Sequence, residues 1–167
     1  MKRLAALAAL AMLLAGCGLQ PLYTAGGSGP VANVLGQVDV APIEGKSGWL
    51  VANALRDRFG EGGRGQASRY RLDVKLDDKI VGLAVRSDNS VTRERRTLRA
   101  RYQLVALDSG TVVLDATAGS DAGIDVVTSE YATIAAESSA LERLSEIVAD
   151  QIVARVALYA RNESAPK

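Results

Sequence analysis

The 167-residue chain contains no histidine. That absence removes imidazole acid–base catalysis, Ser-His-Asp triads and the commonest zinc ligand together. It has one cysteine, so no internal disulfide can form. An excess of either charge is also missing: 20 Lys and Arg stand against 19 Asp and Glu, a formal net charge of +1. No nucleic-acid partner is expected from so even a balance, and any basic site must be a local patch. Aromatic residues are scarce, with a single tryptophan, Trp49. Near a helix start it is expected to be a packing anchor rather than a ligand contact. What is present is 48% apolar and 23% charged residues, the balance of one globular domain.

The lone cysteine sits at the end of an apolar run. Lys2 and Arg3 form a positive start, and Leu4 to Leu13 form an apolar stretch. That stretch is too short to span a bilayer core, which needs about 20 residues. Leu14-Ala15-Gly16 then leads into Cys17. The pattern resembles the bacterial lipobox, against the alternative of a plain signal peptide with an incidental thiol. The resemblance implies cleavage before Cys17, a diacylglyceryl thioether on its sulfur and acylation of its new amino group, with palmitate-type chains. One chain binds a membrane marginally; at about 0.8 kcal/mol per buried CH₂, three hold it. Gly18 follows the cysteine where Asp would favour inner-membrane retention, which leans toward the outer membrane.

Residues 1–16 are therefore read as a lipoprotein signal peptide, and 17–33 as the lipidated N-terminus and a Gly- and Pro-rich tether. Extended at about 3.3–3.6 Å per residue, residues 18–33 reach on the order of 50 Å. Residues 34–161 form one domain, and 162–167 a tail.

Within the domain, Val34 to Ala41 reads as a short first strand closed by Pro42. Residues 46–60 place Val51, Ala54, Leu55, Arg58 and Phe59 at helical spacing, with Ser47 able to cap the start and Gly60 the end. Arg69 to Val81 alternates: Tyr70, Leu72, Val74, Leu76 and Ile80 on one side, Arg69, Arg71, Asp73, Lys75, Asp77 and Lys79 on the other. Val91 to Leu107 repeats the pattern, and Asp108-Ser109-Gly110 turns it into a return strand over Thr111 to Gly119, with Val112, Leu114, Ala116 and Ala118 inward. From about Ser129 to Arg161 the period becomes helical, with a stripe of Leu141, Leu144, Ile147, Val148, Ile152, Val156 and Tyr159. Ser139 and Glu142 offer a capping box, so the helix start is open between these positions. The order β-α-β-β-β-α predicts an α+β two-layer sandwich, a four-stranded sheet with two helices on one face.

One strand stands out. Arg93, Arg95, Arg99 and Arg101 share one face, suited to bidentate recognition of phosphate. The alternative, which pattern alone favours, is an ordinary wet face with Asp73 and Asp77 pairing across strands. Asp115, Asp121, Asp125 and Glu130 read as scattered acids near turns, without EF-hand spacing. The Gly-rich 60–65 stretch lacks the ending of a phosphate loop. No catalytic residue, metal ligand or cofactor motif emerges.

Three segments together resemble the LptE family of lipopolysaccharide-assembly lipoproteins in its alphaproteobacterial form. They are CGLQPLY at the lipidation site, SVTRERRTLRARYQLVALDSGTVVL, and SEYATIAAESSALERLSEIVADQIVARVALY. The resemblance implies a non-enzymatic, outer-membrane protein anchored through acylated Cys17, facing the periplasm or lying within a barrel lumen. The implied partners are a large LptD-type β-barrel, which it plugs, and lipopolysaccharide itself. Arg93, Arg95, Arg99 and Arg101 become the expected lipopolysaccharide or barrel contacts. An auxiliary subunit of another lipid-transport system is the alternative reading.

Overall fold

Seven elements follow one another in the computed structural model, which describes residues 29–60, 67–85 and 91–163. They are α1 (Pro30–Leu35), β1 (Val38–Val40), α2 (Gly45–Gly60), β2 (Tyr70–Val85), β3 (Val91–Ala106), β4 (Val112–Asp125) and α3 (Glu130–Glu163). Cys17, the signal peptide, the tether up to Ser28 and the last four residues lie outside the described residues.

The strands form one sheet in the order β1-β2-β3-β4. β1 runs parallel to β2, pairing Val38 with Tyr70 and Val40 with Leu72. β2–β3 and β3–β4 are antiparallel. Gly110 closes the β3–β4 turn at φ +67°, a backbone region where a side chain is strained. The period-2 alternation sorts most residues as expected; Val112, expected inward, pairs with Val105 beyond a register shift and is exposed. Even-numbered residues of β2 and β3, and of β4 from Leu114 onward, face the helices, and Tyr70, Leu72, Leu98, Ala100, Tyr102 and Leu104 are buried there. Odd-numbered residues face outward.

The helices supply the second layer. Leu141, Leu144, Val148, Ile152 and Val156 of α3 are buried against the sheet and α2, and Val51, Leu55 and Phe59 of α2 complete the core. α1 adds Val31 and Leu35 to the same cluster. Gly48 of α2 sits so close to the preceding loop that a Cβ would lie 2.6 Å from the Ile43 carbonyl oxygen. α2 and α3 run side by side in the same direction: Lys46 bonds Ser138 near one end, and Arg58 pairs with Asp150 nearer the other.

The expected α+β sandwich and four-stranded sheet are present, with several local corrections. Residues 30–35 are helical where tether and strand were expected, because Pro30 at the first helical turn needs no N–H partner; β1 shrinks to three residues. α2 begins at Gly45, which places Ser47 inside it. α3 starts at Glu130 rather than at the Ser139 box. Ser129 caps it through the Ala132 N–H and its own carbonyl, bonded by Thr133. β4 continues to Asp125, so Asp115, Asp121 and Asp125 are strand residues. Trp49 is 64% exposed, so among the described residues it is not the expected packing anchor, and Ile147 is also exposed.

The two edges of the sheet differ. On the β4 edge, Gln151 of α3 accepts a hydrogen bond from the Gly119 N–H at 2.9 Å and donates to its carbonyl at 3.4 Å. The β2 edge is covered by β1 only as far as Leu72, whose carbonyl accepts from Ala41. No described helix is long and apolar enough to cross a membrane.

Candidate functional site: the outer face of the sheet

β-pleating puts Arg93, Arg95, Arg99 and Arg101 in one row along the outward side of β3, as their spacing predicts. Registry then decides their neighbours. Opposite them on β4 stand Asp125, Gly123, Gly119 and Thr117, with Asp121 opposite Thr97 and Asp115 opposite Gln103. Arg93 reaches Asp125 at 3.4 Å, Arg99 reaches Asp121 at 3.2 Å and Arg101 reaches Asp115 at 3.2 Å. Among the described residues, Arg95 has no ion pair; the residues beside it are Val81 and Gly123, which offer no charge.

The acids on β2 behave differently from expectation. Asp73 pairs with Arg71 at 2.9 Å and Asp77 with Lys79 at 2.8 Å, both along their own strand rather than across to β3. An i, i+2 pair shares one face of a strand, and the β3 arginines are already drawn to β4. That leaves Lys75 without an ion pair among the described residues. It stands directly opposite Arg101 in the β2–β3 register. Two like charges facing each other across a ladder destabilise it unless a counter-charge intervenes. They line a concavity of about 480 Å³ beside Pro42, with Asp73 and Gln103 as further walls.

The face as a whole is a charge lattice. Arg71, Lys75, Lys79, Arg93, Arg95, Arg99 and Arg101 are set against Asp39, Asp73, Asp77, Asp115, Asp121 and Asp125, one cation in excess. Hydrogen bonding holds two of these carboxyls below the ordinary aspartate range: Asp115 through Gln103 and then Arg101, Asp121 through Thr97 and then Arg99. Gly119 makes room for this arrangement, since a Cβ there would lie 2.5 Å from Arg99 Cδ and 2.9 Å from the Leu98 carbonyl oxygen. Such a surface can take up anions where cations are in local excess, at Lys75–Arg101 and around Arg95. Among the described residues no cluster of three Asp, Glu, Cys or His side chains could hold a metal ion.

Arg96 escapes the sequence reading. It occupies an even position and points to the helix side, where it forks onto Asp78 at 2.9 and 2.7 Å and donates to the Glu137 carbonyl of α3. The signal was the break in apolar alternation at Asp78 and Arg96.

The LptE family model, described as lipopolysaccharide-assembly, matches residues 35–156, from the end of α1 through most of α3. The chain belongs to the LptE family. That family is one of lipopolysaccharide-assembly lipoproteins. The fold is similar to a Caulobacter crescentus protein described as a lipoprotein, with TM-score 0.66 and 22% identity over 83% of this chain and 100% of that one. It is also similar to the rare lipoprotein B of Shewanella oneidensis, with TM-score 0.59 and 11% identity over 77% and 97%. A minor lipoprotein of Acinetobacter baumannii follows at TM-score 0.54 and 12% identity, over 73% and 91%. No curated protein matches the chain. At these identities the structures establish a shared fold.

Proposed function

We propose that this LptE-family chain is held in the outer membrane by acylated Cys17, plugs an LptD-type lipopolysaccharide-transport barrel, and offers its outer sheet face to lipopolysaccharide phosphates. The carrying observation is the Lys75–Arg101 pair. Two cations face each other over a concavity, and among the described residues only one of them has a carboxylate partner. A lipid A phosphate would complete that arrangement by bonding both, with the guanidinium as a fork and the ammonium as a point charge. Arg95, free of ion pairs among the described residues, is the second phosphate contact. Arg93, Arg99 and Arg101 hold the sheet surface through their aspartates and turn their remaining N–H donors outward.

The test is lipopolysaccharide binding by Lys75→Ala/Arg95→Ala, beside co-purification of the barrel from outer membranes. Binding should weaken several-fold and become less dependent on salt, because two of the screened contacts are gone. Unchanged binding with loss of the barrel would reassign these cations to acidic groups of the lumen wall. Unchanged binding and an unchanged partner would make the face an ordinary wet surface.

A further inference from the structure

At the end of the sheet where the β3–β4 turn lies, three segments far apart in the chain close around a cavity of about 430 Å³. They are the start of β2, the β3–β4 turn and the last turns of α3. That volume falls within the ~300–1,000 Å³ usual for small-molecule sites. Backbone bonds fix its walls: the Leu107 N–H donates to the Arg69 carbonyl at 2.9 Å, and the Gly110 N–H to the Ala106 carbonyl at 2.8 Å. Arg69 holds its guanidinium 5.9 Å from the centroid of the Tyr70 ring, and Tyr70 meets Tyr159 edge to face at 6.2 Å. The Tyr159 hydroxyl stays protonated, its pKa raised by burial first and then by donation to the Glu163 carboxylate.

Arg69, Asp108 and Glu163 all line this cavity, and among the described residues none of them makes an ion pair. One cation against two carboxylates leaves a negative charge in excess. A phosphate would therefore face two like charges. A metal ion would meet Arg69 and find no third acidic ligand among the described residues. An apolar guest would strand all three charges. The fitting ligand is uncharged, donates to carboxylates and accepts from a guanidinium. Hydroxyl groups do both. Ser109 and Thr111, whose hydroxyls lie 2.8 Å apart, add groups of the same kind. Leu107, Val113 and the Tyr159 ring give an apolar wall for C–H bonds. We infer that the cavity binds one neutral sugar ring, with its hydroxyls donating to Glu163 and Asp108 and an oxygen accepting from Arg69. This inference does not rest on the Lys75–Arg101 concavity, with which the cavity shares no residue.

Amide NMR of the full chain, in a detergent with a sugar-free head group, tests it by titration with methyl glucoside and methyl galactoside. Saturable shifts are expected at Arg69, Ser109 and Thr111, with a dissociation constant on the order of 1 mM for so small a ligand. Asp108→Asn/Glu163→Gln should weaken binding about tenfold, because two charge-assisted acceptors become neutral ones. Lys75→Ala/Arg95→Ala should leave the titration unchanged, which separates this site from the proposed phosphate contacts. Competition by lipopolysaccharide, but not by lipid A stripped of its saccharide, would support the site with a lipid-borne sugar as its ligand. Binding of the glycoside without competition from either would support it with a free sugar. No saturable shift with either glycoside would overturn the inference, as would binding indifferent to Asp108→Asn/Glu163→Gln. Inorganic phosphate or glycine moving the same amides more strongly than the glycosides would also overturn it, by making the cavity an anion or zwitterion site.

Discussion

Arg96 grips Asp78 through both guanidinium arms, Nε to Oδ1 at 2.9 Å and Nη2 to Oδ2 at 2.7 Å, on the side of the sheet that faces the helices. The two side chains are only 13% and 20% exposed, and the third arm reaches the Glu137 carbonyl. The pair therefore ties β2 and β3 to the early turns of α3, where apolar burial is thin: Tyr131 and Ile134 are exposed, and continuous burial begins at Ala140.

Removing one partner of such a pair leaves the other desolvated. Arg96→Met should cost roughly 2–4 kcal/mol, somewhat less than a fully buried pair would. Asp78→Leu/Arg96→Met should recover much of that loss. Urea denaturation of both variants measures it; equal stability of Arg96→Met and wild type would show that the fork contributes nothing.

Leu144 and Ile152 lie at the centre of the core, 1% and 0% exposed. Leu144→Asp or Ile152→Asp buries an unpaired charge and should cost several kcal/mol, against a total stability of about 5–15 kcal/mol. Far-ultraviolet circular dichroism should show either variant largely unfolded at room temperature. Ile147→Asp is the control: that residue is exposed and should tolerate the change.

Asp115 and Asp121 should titrate below the ordinary aspartate value of about 3.9. A lowered folded pKa means that the stabilisation is fully present above the unfolded value and disappears as pH falls through the folded one. The outer lattice should therefore loosen only below about pH 4. Carboxyl NMR titration reads both midpoints. Gly119→Ala should raise that of Asp121, because a Cβ there displaces Arg99 from it. An unshifted Asp121 in wild type would refute the arrangement.

Cys17→Ala should abolish acylation and leave the chain uncleaved or soluble. Mass spectrometry of the N-terminus, with membrane fractionation, checks this. A wild-type chain carrying a free Cys17 thiol would remove the anchor from the proposed function.

Much of the fold was legible because period-2 and period-3.6 patterns are local. Arg69–Val81 alternates except at Asp78, and Val91–Leu107 does so most cleanly over Leu98–Leu104, and pleating alone then places their residues on two faces. Short elements were less legible. Val34 has the spacing of a strand but sits in α1, since a six-residue helix is decided by what it packs on. Trp49 looks like an anchor by type, yet it lies on a side of α2 that is exposed among the described residues.

Sequence by itself determined which side chains share a face, where the β3–β4 turn falls, and that the four arginines stand in a row on β3. Those properties follow from backbone periodicity within one segment. Tertiary structure decided which strand lies beside which and in what register. It gave Arg93, Arg99 and Arg101 their aspartates on β4, left Lys75 opposite Arg101, turned Arg96 inward onto Asp78, and stopped β1 at Val40. Charge pairing and strand register depend on distances between residues far apart in the chain, and those distances exist only once the sheet has formed.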